Sequence, residues 1–78
     1  MVEHPLLGPK YELYPEDSTN WDFRGTCKYY LKKYEEAIKD FDKAIELDPE
    51  SSASWGYRGR SKYFLKQDLE AIKDLDKA

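Results

Sequence analysis

"EAIKDFDKA" occupies residues 36–44 and "EAIKDLDKA" occupies residues 70–78, two stretches that differ only in Phe41 against Leu75. Sliding the chain against itself by the 34 residues between them aligns Ser18–Ala44 with Ser52–Ala78 without a gap, and 16 of those 27 positions are identical. The identities include Trp21/Trp55, Arg24/Arg58, Gly25/Gly59, Lys28/Lys62 and Tyr29/Tyr63. The same shift pairs "ELYPE" (12–16) with "ELDPE" (46–50), which reads as the tail of an earlier unit. Self-similarity at a fixed period is the mark of an architecture in which each unit buries its apolar face on its neighbours.

Within a unit, Ala37, Ile38, Phe41, Ala44 and Ile45 fall at i, i+1, i+4, i+7 and i+8, one stripe along a helix. Lys39, Asp40, Asp42, Lys43 and Glu46 lie between them and are expected on the outer faces. Pro49 stops this second helix, because the residue before a proline avoids the helical region, and Ser51 or Ser52 is placed to cap the next one. A first helix is expected over about Ser18–Leu31, opening at the cap candidates Asp17 and Ser18 and ending near "KKY". Gly25 and Gly59 sit mid-helix, where each costs roughly 1 kcal/mol relative to Ala. Incurring that cost twice at one place predicts a close helix contact, against the Ala37 or Ala44 side of the second helix. The expected fold is therefore all-α: antiparallel helix–turn–helix repeats of 34 residues, divided as an N-terminal extension (1–17), a first repeat (18–51) and a second (52–78).

At 78 residues the chain makes one small domain with a thin core. A charged fraction of 37%, with a net charge of -3, suits a helical surface and argues against phosphate-backbone binding, so nucleic acid is not an expected partner. One cysteine, Cys27, cannot form an internal disulfide, which makes the reducing cytoplasm the expected compartment. No stretch approaches the ~20 apolar residues of a membrane span, so no membrane partner is expected.

A 34-residue unit carrying Trp21, Gly25, Tyr34, Ala37, Phe41, Ala44 and Pro49, then Trp55, Gly59, Ala71, Leu75 and Ala78, resembles the tetratricopeptide repeat in its bacterial "RG…KY" form. The resemblance covers residues 18–78 and, more weakly, 11–17. It departs from the family pattern at Arg24 and Arg58, which precede the glycines, and at Asp68, which replaces the tyrosine seen at Tyr34; Leu69 is the expected filler of that gap. The resemblance implies a fragment of a superhelical α-solenoid, non-enzymatic, whose first helices line a concave groove for a peptide or partner helix. The matching groove positions are Thr19, Asp22, Thr26, Tyr29 and Tyr30, then Ala53, Gly56, Arg60, Tyr63 and Phe64. Of these, Asp22, Thr26, Tyr29, Tyr30, Arg60, Tyr63 and Phe64 are the candidate partner-binding residues, Tyr and Arg being enriched among interface anchors. The Lys and Asn clamp of chaperone-binding members has no match, since its places hold Asp22, Thr26, Gly56 and Arg60.

The residues themselves offer little for catalysis. His4 is the only histidine, Cys27 falls at a small packing position matched by Ser61, and Asp40/Asp42 and Asp74/Asp76 stand two apart, pointing away from each other on a helix as parts of a solvated face. No catalytic site, metal site or cofactor is expected. The pairs Arg24/Asp40 and Arg58/Asp74 recur and suggest a bridge between the helices of each unit. Two repeats also fall short of the three that such folds normally need. The expectation is thus either an excerpt of a longer array or self-association through Ile72, Leu75 and Ala78, with exchange of a helical hairpin as one route and part of the cover coming from Leu6, Leu7, Tyr11 and Leu13.

Overall fold

The computed structural model describes residues 17–78, which form four helices: α1 Ser18–Tyr30, α2 Tyr34–Leu47, α3 Ser52–Phe64 and α4 Asp68–Lys77. No strand occurs among the described residues. The expected remnant at 11–16 and the cover from Leu6, Leu7, Tyr11 and Leu13 lie outside them. Each helix packs on the next, α1 on α2, α2 on α3 and α3 on α4, and α1 also touches α3. The result is two helical hairpins stacked one on the other.

Local signals set the boundaries. Asp17 caps α1 by accepting a hydrogen bond from the Thr19 backbone N–H at 2.9 Å. Both first helices close with the same device: Lys33 N–H donates to the Lys28 carbonyl at 2.8 Å and Lys32 N–H to Tyr29 at 2.9 Å, while Gln67 and Lys66 repeat the pair onto Lys62 and Tyr63. This double closure requires a left-handed residue, and Lys32 (φ 65°) and Lys66 (φ 67°) supply it where glycine is usual. α2 ends at Leu47, and Ser51 precedes α3 as its cap residue.

The core is thin and built from small residues: Ala37, Phe41, Ala44, Ile45 and Ala71 are buried. That is the predicted stripe, with Ile38 only half-buried. The two glycines meet large side chains rather than the expected alanine surface. A Cβ on Gly25 would lie 2.9 Å from the Phe41 ring, and one on Gly59 would lie 2.9 Å from Leu75 Cγ and 3.1 Å from the Ala71 carbonyl oxygen. The bulky residue at position 41 or 75 needs this room, since the alanines beside it leave it as the only large group reaching across.

Three further expectations are corrected. Asp40 and Asp74 are not part of a solvated face; both are 3% exposed, because the arginine and lysine of the preceding helix draw their carboxylates into the hairpin. Leu69 does not fill the gap left at Asp68 and stands exposed. Cys27 is exposed, whereas its counterpart Ser61 is buried, α3 having α2 on one side and α4 on the other.

Replacing Gly59 with Ala tests the close approach. Helix propensity favours the change by about 1 kcal/mol, yet overpacking against Leu75 and the Ala71 carbonyl costs about 1–3 kcal/mol. Urea unfolding of Gly59→Ala is expected to show a net loss of stability; a gain would mean that the contact at Gly59 is loose.

Candidate functional site

Two structures recur along the first helices, an ionic clamp turned toward the second helices and an aromatic cluster between the hairpins. The clamp is the bridge expected from the recurring pairs. Arg24 donates from Nε and Nη2 to the two oxygens of Asp40, at 3.0 and 2.9 Å, and Arg58 does the same to Asp74 at 2.8 and 3.0 Å. Lys28 Nζ adds a contact to Asp40 at 3.3 Å and Lys62 Nζ one to Asp74 at 2.9 Å. Each guanidinium also lies over an indole, Arg24 over Trp21 and Arg58 over Trp55, at 5.0 and 4.9 Å. The Trp55 indole N–H donates to the Pro49 carbonyl at 2.7 Å, which ties the interhelical turn to α3.

The two clamps differ in depth. The Arg24 side chain is 58% exposed and that of Arg58 only 15%, because Arg58 lies between hairpins and its Nη1 reaches back to Asp42 of α2 at 2.6 Å. Burial pushes the Asp74 carboxyl up, but the hydrogen bonds and charges of Arg58 and Lys62 outweigh it and hold the group below the usual aspartate range. Burial likewise works against the Arg58 charge, and Asp74 and Asp42 more than restore it.

The aromatic cluster gathers four of the seven candidate residues. Tyr29 is edge-on to Tyr30, Tyr34 and Tyr57 at centroid distances of 5.1, 5.8 and 5.2 Å. Phe64 stacks on Tyr34 at 4.9 Å, and Tyr63 meets Phe64 edge-on. The Tyr30 and Tyr57 hydroxyls are 3.1 Å apart and hydrogen-bonded, which holds the Tyr30 phenol above its ordinary pKa. Arg60 lies over the Tyr57 ring at 5.2 Å. Beside it is a shallow depression of about 270 Å³ lined by Ser52, Ala53, Gly56, Tyr57, Arg60 and Ala78.

Asp22 and Thr26 are engaged within the chain. Asp22 Oδ1 accepts from the buried Ser54 hydroxyl at 3.0 Å, joining α1 to α3, and the Thr26 hydroxyl donates to the Asp22 carbonyl at 2.8 Å. Sequence reasoning passed over Tyr57, the residue at which cluster and depression meet and whose ring stacks on Phe41 at 5.9 Å. The signal was available: position 23 of the first unit and position 57 of the second are both aromatic. Among the described residues no three His, Cys, Asp or Glu side chains group so as to hold a metal ion, and no helix is long and apolar enough to cross a membrane.

The Arg58 pair should couple more strongly than the Arg24 pair, because water screens the exposed guanidinium. A double-mutant cycle on Arg58 and Asp74 is expected to give about 1–3 kcal/mol, and one on Arg24 and Asp40 less; the reverse order would contradict this. A carboxyl whose pKa is lowered by folding stabilises fully above its unfolded value of about 3.9, and that contribution disappears as pH falls through the folded-state pKa. The stability difference between wild type and Asp74→Asn, measured by urea unfolding, should therefore be largest near neutral pH and narrow in acid.

Comparison with known families agrees with this geometry. Residues 23–51 match the family model described as "Tetratricopeptide repeat", a span that covers the end of α1, the whole of α2 and the turn beyond it. No curated protein matches the chain. Segment 23–51 is a tetratricopeptide repeat, and repeats of this family generally mediate protein–protein interaction.

Proposed function

We propose that this tetratricopeptide-repeat chain is a non-catalytic module that binds a peptide or partner helix on the face shared by α1 and α3. The observation that supports this most is the junction at Tyr57, where exposed aromatic rings and the Arg60 guanidinium border a depression floored by the small residues Ala53 and Gly56. Small residues leave space for a ligand side chain, aromatic walls offer apolar area at low entropic cost, and Arg60 supplies one charge to orient an acidic or carbonyl group. Tyr29, Tyr30, Tyr63 and Phe64 extend the aromatic wall, while Asp22 and Thr26 support the floor through Ser54 and their own helix. The cytoplasm is the proposed compartment, on the strength of the single cysteine.

A display library of random peptides panned on the 78-residue chain tests the reading. Selected peptides should bind Arg60→Glu about tenfold or more weakly than wild type, equivalent to about 1.4 kcal/mol. Failure to select any peptide, or binders indifferent to Arg60→Glu, would count against the face.

A second reading rests on a different observation. Leu69, Ile72 and Leu75 of α4 are exposed, as are Phe23 and Leu31 of the first hairpin. Exposed apolar side chains in this number suit a chain that packs on its own copies. Under this reading the module is a structural self-assembly unit, either by surface packing or by exchange of a hairpin. Sedimentation over a range of concentrations distinguishes it from a monomer with a free groove.

A further inference from the structure

We propose that copies of this chain stack head to tail, the α3–α4 hairpin of one copy receiving α1 of the next in the way that the α1–α2 hairpin receives α3 within a single chain. The proposal rests on the self-assembly reading and gives it a geometry. Its template is the internal joint. There, Phe41 of α2 stacks on Tyr57 of α3 at 5.9 Å, and Tyr29 meets the same ring edge-on at 5.2 Å. Asp42 accepts from Arg58 Nη1 at 2.6 Å. One repeat thus presents an apolar pair and an acid, and the other inserts an aromatic ring and an arginine.

The 34-residue period carries both sides of this joint to the two ends of the stack. The receiving set Tyr29, Phe41 and Asp42 becomes Tyr63, Leu75 and Asp76, and the inserted pair Tyr57 and Arg58 becomes Phe23 and Arg24. All five are exposed: Tyr63 at 60%, Leu75 at 44% and Phe23 at 68%, with Asp76 and Arg24 likewise open. Arg24 already holds Asp40 through Nε and Nη2, as Arg58 holds Asp74, which aims its guanidinium in the same way. The two faces are complementary in charge and in shape, one acidic and receptive, the other basic and bearing a protruding ring. Neither complements itself, so a two-fold dimer is disfavoured and the contact is heterologous, of the kind that adds copies in a row.

The test uses the 78-residue chain and two variants at exposed positions, Phe23→Glu, which spoils the inserting face, and Asp76→Lys, which spoils the receiving face. Circular dichroism verifies that both remain helical. In sedimentation velocity the wild type is expected to rise in mass with concentration past twice its 9.2 kDa. Each variant alone should remain at the mass of one chain. An equimolar mixture of the two should form a species of twice the chain mass and nothing larger, since the intact receiving face of Phe23→Glu accepts the intact inserting face of Asp76→Lys. A wild type that associates while the mixture does not, or a closed dimer insensitive to Phe23→Glu, overturns the head-to-tail geometry and leaves self-assembly standing. A wild type that is monomeric up to about 1 mM, the scale of the weakest specific contacts, overturns both.

Discussion

The buried carboxylates of Asp40 and Asp74 fix how the helices of each hairpin lie against one another. A lone charge in that position would be expensive, and each is held instead by a two-pronged arginine and by a lysine one helical turn further on. The arginine cannot reach its partner unless the first helix runs close to the second, and it is the glycine next to it in sequence that permits the approach. Clamp and glycine thus form one device. A core with Phe41 as its largest fully buried side chain would define the crossing of two helices poorly by shape alone. Directional hydrogen bonds at four points supply what packing of small residues does not.

The same device explains the joint between hairpins. Once Arg58 is anchored on Asp74, its remaining nitrogen faces α2 and takes Asp42, so the contact within one repeat orients the contact to the repeat before it. Tyr57 follows on the preceding turn and settles over Phe41. Stacking of successive units is therefore not a separate invention but a consequence of a guanidinium with three donors used in two directions. The aromatic cluster forms where the hairpins meet, and its outer members are left facing solvent.

The repeat made most of this architecture legible. Alignment at 34 residues located four helices within a residue or two, the apolar stripe on α2 placed the buried residues Ala37, Phe41, Ala44 and Ile45, and the pairing of Arg24 with Asp40 was readable because it occurred twice. Periodicity failed where a polar residue turned inward. An aspartate among lysines in "KDFDK" reads as surface, and only the arginine sixteen residues earlier shows otherwise. Periodicity also treats the two copies as equivalent, whereas position within the stack decides burial: Ser61 is covered and Cys27 is not, although they occupy one register. The candidate site was half legible for the same reason. Its aromatic residues were named, but Tyr57, the ring that links them to the depression, was hidden among core-like spacings.

Comparing the two copies separates the frame from the surface offered to a ligand. Trp, Arg, Gly, Lys and Asp of the clamp are identical in both, as they must be if no member can change without stranding a buried charge or closing the gap for a ring. The differences gather on the first helices, Thr19 against Ala53, Asp22 against Gly56 and Thr26 against Arg60. Ala53, Gly56 and Arg60 are also the residues that border the depression with Tyr57. Position 26 bonds only to its own helix backbone and position 60 only overlies a neighbouring ring, so neither is tied to the clamp. A chain with fixed frame residues and freely varying groove residues can alter what it binds without altering how it folds, and in this sequence the variation between copies has placed its one arginine of that kind beside the only two small residues that leave room for a guest.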